Sequence, residues 1–568
     1  MKRNFIKIPV LALGLILSVV TLNSCVKDDE VSVTEPTRYT SDDVQSYGDL
    51  FKVFWTTMDQ RYNYFYEQKE RGGMDWNAIY REYYPKFAAL KTYKKGAEFS
   101  DNDILEDRKK AIQYFTDIID PIIDRHFGFA VLLPLSKGIK NTQVNFSGGM
   151  KTKRNNIYPF NAKYSYMIDK LNDTLTEKYE YIDNNRNKRV FISLMGNLKS
   201  NPDIFYFTYN EFLLESFLKI NLKDKYLIPN PVDNYILTTA EIDKAPELSA
   251  IKDVNARNKA RNFTVNVLNQ WNTFFNSADI KSFNDQVTEF KNTEVVSDAF
   301  VNLSKTLLAK SQSLVAYDSK STYSSVLTSD TDKYITWFMD RMKGHVESGY
   351  NLAQFQTDAN SIVVRSPFYQ KFLNPLRKGN IKKLIIDVRG NGGGAVIDFR
   401  YFVERLVTKN TVWGYQRTKE GNGQFNYTPW IPMQAKPHQF GIPANIPIAI
   451  LTDKGSYSMS EMSTMMLKSQ GSQVVSVGDY SAGATAGLTP NPDEFNGGSQ
   501  DVIAGVMQFY MPVMATKDMN GQVIEGIGVK PDYYVTPPTD AEVAAMTSSP
   551  STFIDRVINE AVKYLSSK

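Results

Sequence analysis

The stretch Leu384-Ile385-Ile386-Asp387-Val388-Arg389-Gly390-Asn391-Gly392-Gly393-Gly394 constrains this 568-residue chain more than any other. The apolar run ahead of Asp387 reads as a short buried strand. The glycines then let the backbone turn sharply and come close to whatever lies above it. From Ala395 to Val407 the apolar residues Val396, Phe399, Phe402, Val403 and Leu406 fall at helical spacing. The expectation is strand, glycine turn, helix. Such a turn can aim bare backbone N–H groups at a developing negative charge.

A second unit of the same kind follows. Ile446 to Thr452 is another apolar strand. Asp453-Lys454-Gly455-Ser456-Tyr457-Ser458-Met459-Ser460-Glu461 comes next, and a helical stretch runs on to about Gln470. A serine at a strand-to-helix turn sits at the positive end of a helix, which favours an alkoxide nucleophile and the oxyanion its attack produces.

The two motifs, in this order, resemble those of the tail-specific (C-terminal processing) serine peptidases, a family that includes the tricorn core protease. Its pattern is a strand ending in Asp-x-Arg-x-Asn-Gly-Gly-Gly, then a strand ending in Gly-Ser-x-Ser-x-Ser-Glu. The resemblance implies an α/β fold with a crotonase-like (ClpP/crotonase-type) catalytic core and a nucleophile at Ser458. The oxyanion would be held by backbone N–H groups of Gly392 or Gly393 and of Met459. A third signature, Glu525-Gly526-Ile527-Gly528-Val529-Lys530-Pro531-Asp532, resembles the segment that closes the family's core.

One position departs from the lysine-dependent members. They carry their base in a Gly-Lys-Gly-Thr loop after the serine helix, and here the loop reads Gly483-Ala484-Thr485. A methyl group takes no proton, so the Ser–Lys dyad is absent. The tricorn branch instead carries Asp-x-His just before a β segment, with that histidine as general base. Asp124-Arg125-His126 matches, which makes His126 the implied base and Glu525 the late acidic residue. Tricorn has a serine immediately before its histidine; Arg125 stands here. Asp387, Arg389 and Glu461 have purely structural explanations, in pinning the glycine turn and complementing a helix dipole. Ser456 and Ser460 fit helix capping or backbone contacts.

The N-terminus reads as an export signal: Lys2 and Arg3, an apolar core from Ile8 to Leu22, then Leu22-Asn23-Ser24-Cys25. This end resembles a bacterial lipobox, which makes Cys25 the lipidated residue and the lipid membrane a partner. Cys25 is the only cysteine, so disulfides within the chain are excluded. Val26-Lys27-Asp28-Asp29-Glu30 resembles a tag that sends lipoproteins to the outer face of the outer membrane; periplasm-facing anchorage is the alternative. Net charge is +4, from 66 basic and 62 acidic residues, which argues against a nucleic-acid partner. The three histidines lack ligand spacing, so no metal or organic cofactor is expected. The sequence sets no oligomeric state.

The expected organisation is a signal peptide over 1–25, a linker over 26–42 and a helical region over 43–126. A β-rich segment follows over 127–200, with a PDZ-like fold as one option. The catalytic core takes 201–225 and 381–537, a mostly helical insertion takes 226–380, and a final helix lies within 538–568. The activity expected is serine peptidase on a peptide or protein substrate. The alternative is an inactive relative that binds a ligand or peptide at the surface, as retinoid-binding repeats of the same resemblance do.

Overall fold

The computed structural model describes residues 37–568 except 138–140, 152–156, 184–185, 232–233, 486–497 and 500–501. The lipobox and its tag lie outside the described residues. The chain divides into two compact units. The first takes Met1–Lys153, Tyr415–Met433 and Ala484–Gly526. The second takes Arg154–Gly414, Gln434–Gly483 and Ile527–Lys568.

The first unit packs helices against an antiparallel sheet. The helices are Tyr47–Arg61, Phe65–Gly72, Trp76–Ala88 and Asp101–Ile119. Ser46, Asp75 and Ser100 each accept a backbone N–H from the first turn of the helix that follows, satisfying one of its orphan donors. The run from Phe51 to Phe65 is not one helix. It breaks at Tyr62, and the buried Asn63 donates from Nδ2 to the Val513 carbonyl at 2.7 Å. Gly128–Leu133 pairs antiparallel with Thr142–Ser147 on one side and with Met507–Pro512 on the other. Phe129, Val131 and Leu133 face inward at alternate positions, as a half-buried strand requires. Phe54 meets Phe115 edge-on at 5.2 Å and Phe129 packs on Phe509 at 5.0 Å, so helix and sheet share one aromatic core.

The second unit is built on a seven-stranded mixed sheet. In spatial order its strands are Tyr533–Tyr534, Val474–Gly478, Ile448–Thr452, Lys383–Asp387, Asn201–Tyr209, Lys188–Leu198 and Leu171–Ile182. The first five run parallel; the last two continue as antiparallel neighbours. Ile448–Thr452 and Val474–Gly478 are buried at every position, which explains why they read as continuous apolar runs. Arg556–Ser566 and Phe160–Ile168 cover one face through Val557, Ile558, Leu565, Tyr166 and Met167. Phe205 stacks on Phe372 at 5.3 Å, and Phe207 meets it tilted at 4.7 Å. The segment 226–380 is helical from Thr239 to Arg377 apart from short connections, and its longest helix is Val254–Phe275.

Two boundaries differ from the sequence reading. The segment 127–200 is not one module: Gly128–Leu133 and Thr142–Ser147 belong to the first unit, and Leu171–Ile182 and Lys188–Leu198 to the sheet of the second. The stretch after the glycine turn is a short helix, Ile397–Tyr401, followed by a 3-10 turn, Val403–Leu406. Asp398 faces away from its own helix axis; its carboxylate accepts the N–H groups of Leu214 and Glu215 at 2.7 and 2.8 Å.

Beneath the glycine turn lies a dry ionic cluster. Arg389 forks onto Asp387 at 3.0 and 2.7 Å and onto Asp555 at 3.0 and 2.9 Å. Lys163 reaches Asp387 Oδ1 at 3.1 Å and the Arg389 carbonyl at 2.5 Å. Burial alone would raise the Asp387 pKa, but the two cations outweigh it and hold the carboxyl well below the usual range. Removing one member of such a group leaves its partners charged and unpaired. Arg389→Met is therefore expected to destabilise the second unit by about 3–5 kcal/mol. Arg389→Lys should recover only part of this, because an ammonium cannot fork onto two carboxylates. Thermal melts of the three proteins test it; an unchanged transition in Arg389→Met would refute it.

Candidate active site

The glycine turn and the serine turn are fastened to each other within the second unit. Asp453 accepts the N–H groups of Gly390 at 3.0 Å, Gly455 at 2.9 Å and Tyr158 at 2.9 Å. Ser456 donates to the Val388 carbonyl at 2.8 Å, and Ser460 donates to the Asn391 carbonyl at 2.9 Å. The Tyr457 N–H reaches the same Asn391 carbonyl at 3.0 Å. The two serines flanking Ser458 thus tie one turn to the other.

Ser458 precedes the helix Met459–Lys468 and adopts φ 52°, ψ −113°. Positive φ in a serine stores about 1–3 kcal/mol of strain and needs surroundings that enforce it. The enforcing contacts are visible. The Ser458 N–H donates to Glu461 Oε2 at 3.1 Å, and the Ser458 carbonyl accepts the N–H groups of Glu461 and Met462. Glu461 Oε1 also accepts the Ser481 hydroxyl and the Gly483 N–H, each at 2.6 Å. The carboxylate therefore joins the Ser458 backbone to the loop that carries Ser481 and Gly483. Ala484, in that loop, is buried. Ser458 is half-buried.

Gly393 packs directly on Ser458. A Cβ there would stand 2.7 Å from Ser458 Cβ, 2.8 Å from the Tyr457 carbonyl oxygen and 3.1 Å from the Met459 nitrogen. Its φ of +87° also suits only glycine. The Gly393 N–H is already taken, donating to Asn391 Oδ1 at 2.8 Å. Of the two glycines expected to hold an oxyanion, Gly392 is the one left: among the described residues its N–H meets no acceptor and a Cβ there would meet nothing within 4 Å. Met459, the first residue of the helix, presents the second candidate N–H at the positive end of the dipole.

The first unit carries the other predicted residues. Asp124 is fully buried, and its Oδ1 accepts the N–H groups of His126 at 2.8 Å and Phe127 at 3.1 Å. Glu525, also fully buried, accepts the Arg125 N–H at 3.1 Å through Oε1 and the Thr485 N–H at 3.0 Å through Oε2. Asp124, His126 and Glu525 offer side-chain atoms that lie within 4.8 Å of one another. Folding thus joins residues 400 positions apart, which spacing along the chain could not reveal. Burial pushes the His126 pKa from 6.5 down to about 4 and the Asp124 pKa from 3.8 up to about 7.

The other two histidines are fixed in place. His345 accepts the Leu237 N–H at Nδ1 and pairs with Asn272 Oδ1 at Nε2, both at 3.0 Å. His438 accepts the Phe440 N–H at Nδ1, at 3.0 Å. His126 Nδ1, by contrast, is buried with no partner among the described residues. Their pKa values are lowered alike, so it is hydrogen bonding that sets His126 apart.

Residues 351–535 match the family model described as Peptidase family S41. That span holds Ser458, both turns and Glu525, and it excludes His126. Over 115 residues the chain is 36% identical to the carboxy-terminal processing protease CtpB of Bacillus subtilis; the match covers 20% of this chain and 22% of that protein. The chain thus spans about a fifth of the length of this curated relative. Among solved structures, a candidate peptidase from Parabacteroides merdae is similar at 14% identity and a TM-score of 0.44, covering 92% of this chain and 97% of that one. Mature CPAF in complex with lactacystin is similar at 9% identity and a TM-score of 0.39, covering 92% and 99%.

Sequence reading missed the part played by Asp453 and the triple duty of Glu461. The latter had a signal, since Ser-x-x-Glu ahead of an apolar run is a capping box. Glu461→Gln keeps the shape but replaces one acceptor oxygen by an NH₂ donor facing N–H or O–H donors. A loss of about 1–3 kcal/mol is expected, the cost of leaving buried donors unsatisfied. Chemical denaturation of wild type and variant checks it; a difference below about 0.5 kcal/mol, the range of ordinary surface changes, would refute the role.

Proposed function

We propose that this chain is a serine peptidase that hydrolyses peptide bonds of proteins or peptides at the cell envelope. The observation that carries the reading is Ser458: a strained serine at a helix N-terminus, packed on a glycine turn, inside the span that matches Peptidase family S41. The reading includes a crotonase-like core and places the chain nearer the histidine-dependent, tricorn-like branch. Asp124-Arg125-His126 and the alanine at 484 support that placement.

In the proposed reaction His126 accepts the Ser458 hydroxyl proton as Ser458 Oγ attacks the peptide carbonyl carbon. The N–H groups of Gly392 and Met459 receive the negative charge on the carbonyl oxygen. His126 returns the proton to the leaving amine, the C–N bond breaks, and an ester on Ser458 remains. Water, losing its proton to His126, attacks that ester and frees the new carboxyl end and the serine. Glu525, through the Arg125 N–H, steadies the segment that carries the imidazole.

A fluorophosphonate serine probe should label the wild-type protein and fail to label Ser458→Ala. His126→Ala should label at least about 10²-fold more slowly, the lower range for general base catalysis. The neutral imidazole is the base, and its pKa is lowered. Labelling should therefore persist well below pH 6.5 and fall away only towards about pH 4. Undiminished labelling of His126→Ala would sink the base assignment; no labelling of wild type would sink the peptidase.

The same reading makes Cys25 an acylated anchor in an outer-membrane lipoprotein exposed at the cell surface. It rests on the Leu22-Asn23-Ser24-Cys25 motif and the acidic tag after it. Cys25→Ser should move the protein from the membrane pellet to the soluble fraction, and protease added to whole cells should digest the wild type. Retention of Cys25→Ser in the membrane would overturn the anchor.

A further inference from the structure

We propose that Asp124, His126 and Glu525 form a site for one divalent transition cation of the Zn²⁺ class, and that filling it switches the peptidase off. The second half rests on the function proposed above, because it works by taking the His126 imidazole out of proton transfer.

Two carboxylates and one imidazole converge with their available atoms within 4.8 Å of one another. Bonds of about 2.0–2.2 Å to a tetrahedral ion put ligand atoms roughly 3.3–3.5 Å apart. Side-chain rotations close the remaining gap of about an ångström. The cluster also lacks donors where it needs them. Asp124 is 0% exposed, yet only its Oδ1 is hydrogen-bonded; Oδ2 has no partner among the described residues, and neither has the buried His126 Nδ1. A buried carboxylate oxygen and a buried imidazole nitrogen left bare cost free energy, and a cation satisfies both.

The surroundings hold the ligands from behind. Backbone N–H groups of His126 and Phe127 fix Asp124, and those of Arg125 and Thr485 fix Glu525. Such outer contacts orient metal ligands. The Arg71 guanidinium donates to the main-chain carbonyls of Glu525 and Val523, at 2.6 and 2.9 Å, and its charge acts on the Glu525 carboxylate nearby. The mixed nitrogen and oxygen set favours Zn²⁺ over Mg²⁺ or Ca²⁺, which prefer oxygen throughout. Binding releases to solvent any proton held by the three groups.

The test uses the full-length chain stripped with EDTA. Zn²⁺ uptake is measured by equilibrium dialysis with metal analysis, and fluorophosphonate labelling is followed in parallel. Expected are one site lost or weakened at least about 10-fold in Asp124→Asn, His126→Asn and Glu525→Gln, labelling abolished as that site fills, recovery with EDTA, and no effect of Mg²⁺. Circular dichroism checks that each variant is folded. No uptake, or uptake unchanged in all three folded variants, overturns the site. Site-dependent uptake with labelling undiminished overturns the switch. Site-dependent uptake by a chain that never labels, even metal-free, upholds the site while the peptidase reading and the switch fall together.

Discussion

A guanidinium shut away from water, gripped by two carboxylates, is what the glycine turn stands on. Arg389 belongs to the turn, Asp387 ends the strand before it, and Asp555 caps the helix Arg556–Ser566 by accepting the N–H groups of Val557 and Ile558. Lys163 brings in a further helix. Buried ions of this kind give little net stability, because desolvation consumes most of the Coulomb gain. What they give is position. A slip in the turn would strand a charge in a dry interior, so the turn has one arrangement.

From that fixed turn the serine's geometry follows. Asn391 donates from Nδ2 to the Tyr209 carbonyl, and its own carbonyl and side-chain oxygen receive Ser460, Tyr457 and Gly393. A strained Ser458 is affordable only because both sides are held: the glycine turn in front and Glu461 behind. The Gly392 N–H, without an acceptor among the described residues, results from this arrangement, since the neighbouring Gly393 N–H keeps the turn closed.

The parallel strands and both turns were legible because they are local. Apolar runs of strand length ending in glycine or in Gly-Ser-x-Ser-x-Ser-Glu announce themselves within about ten residues. Lys163 and Asp555 were not legible: their partners lie 224 and 166 residues away, and nothing near either residue marks it as buried. The division of 127–200 between two units was hidden for the same reason. Its strands look alike, and which sheet each joins is decided by long-range pairing, of Gly128–Leu133 with Met507–Pro512 and, for Lys188–Leu198, through the neighbouring strand Asn201–Tyr209 with Lys383–Asp387. At the candidate site, Ser458 came from a contiguous motif. The convergence of Asp124, His126 and Glu525 needed the fold, although each residue could be singled out beforehand.

The alanine at 484 offers no proton acceptor in the loop after the serine helix. A lysine base must be driven neutral by burial with few partners for its ammonium form. The second unit has no such lysine at its turns among the described residues. Lys163 is buried, which lowers its pKa, while its contacts to Asp387 and the Arg389 carbonyl act the other way by favouring the charged form. Lys454 sits four residues before the serine, with its ammonium between the carbonyls of Ser481 and Ile527, each at 3.0 Å. Burial favours the neutral form of a histidine as well, and leaves a lone pair to accept a proton near neutral pH. His126 is in that state: burial lowers its pKa to about 4, and its Nδ1 has no partner among the described residues.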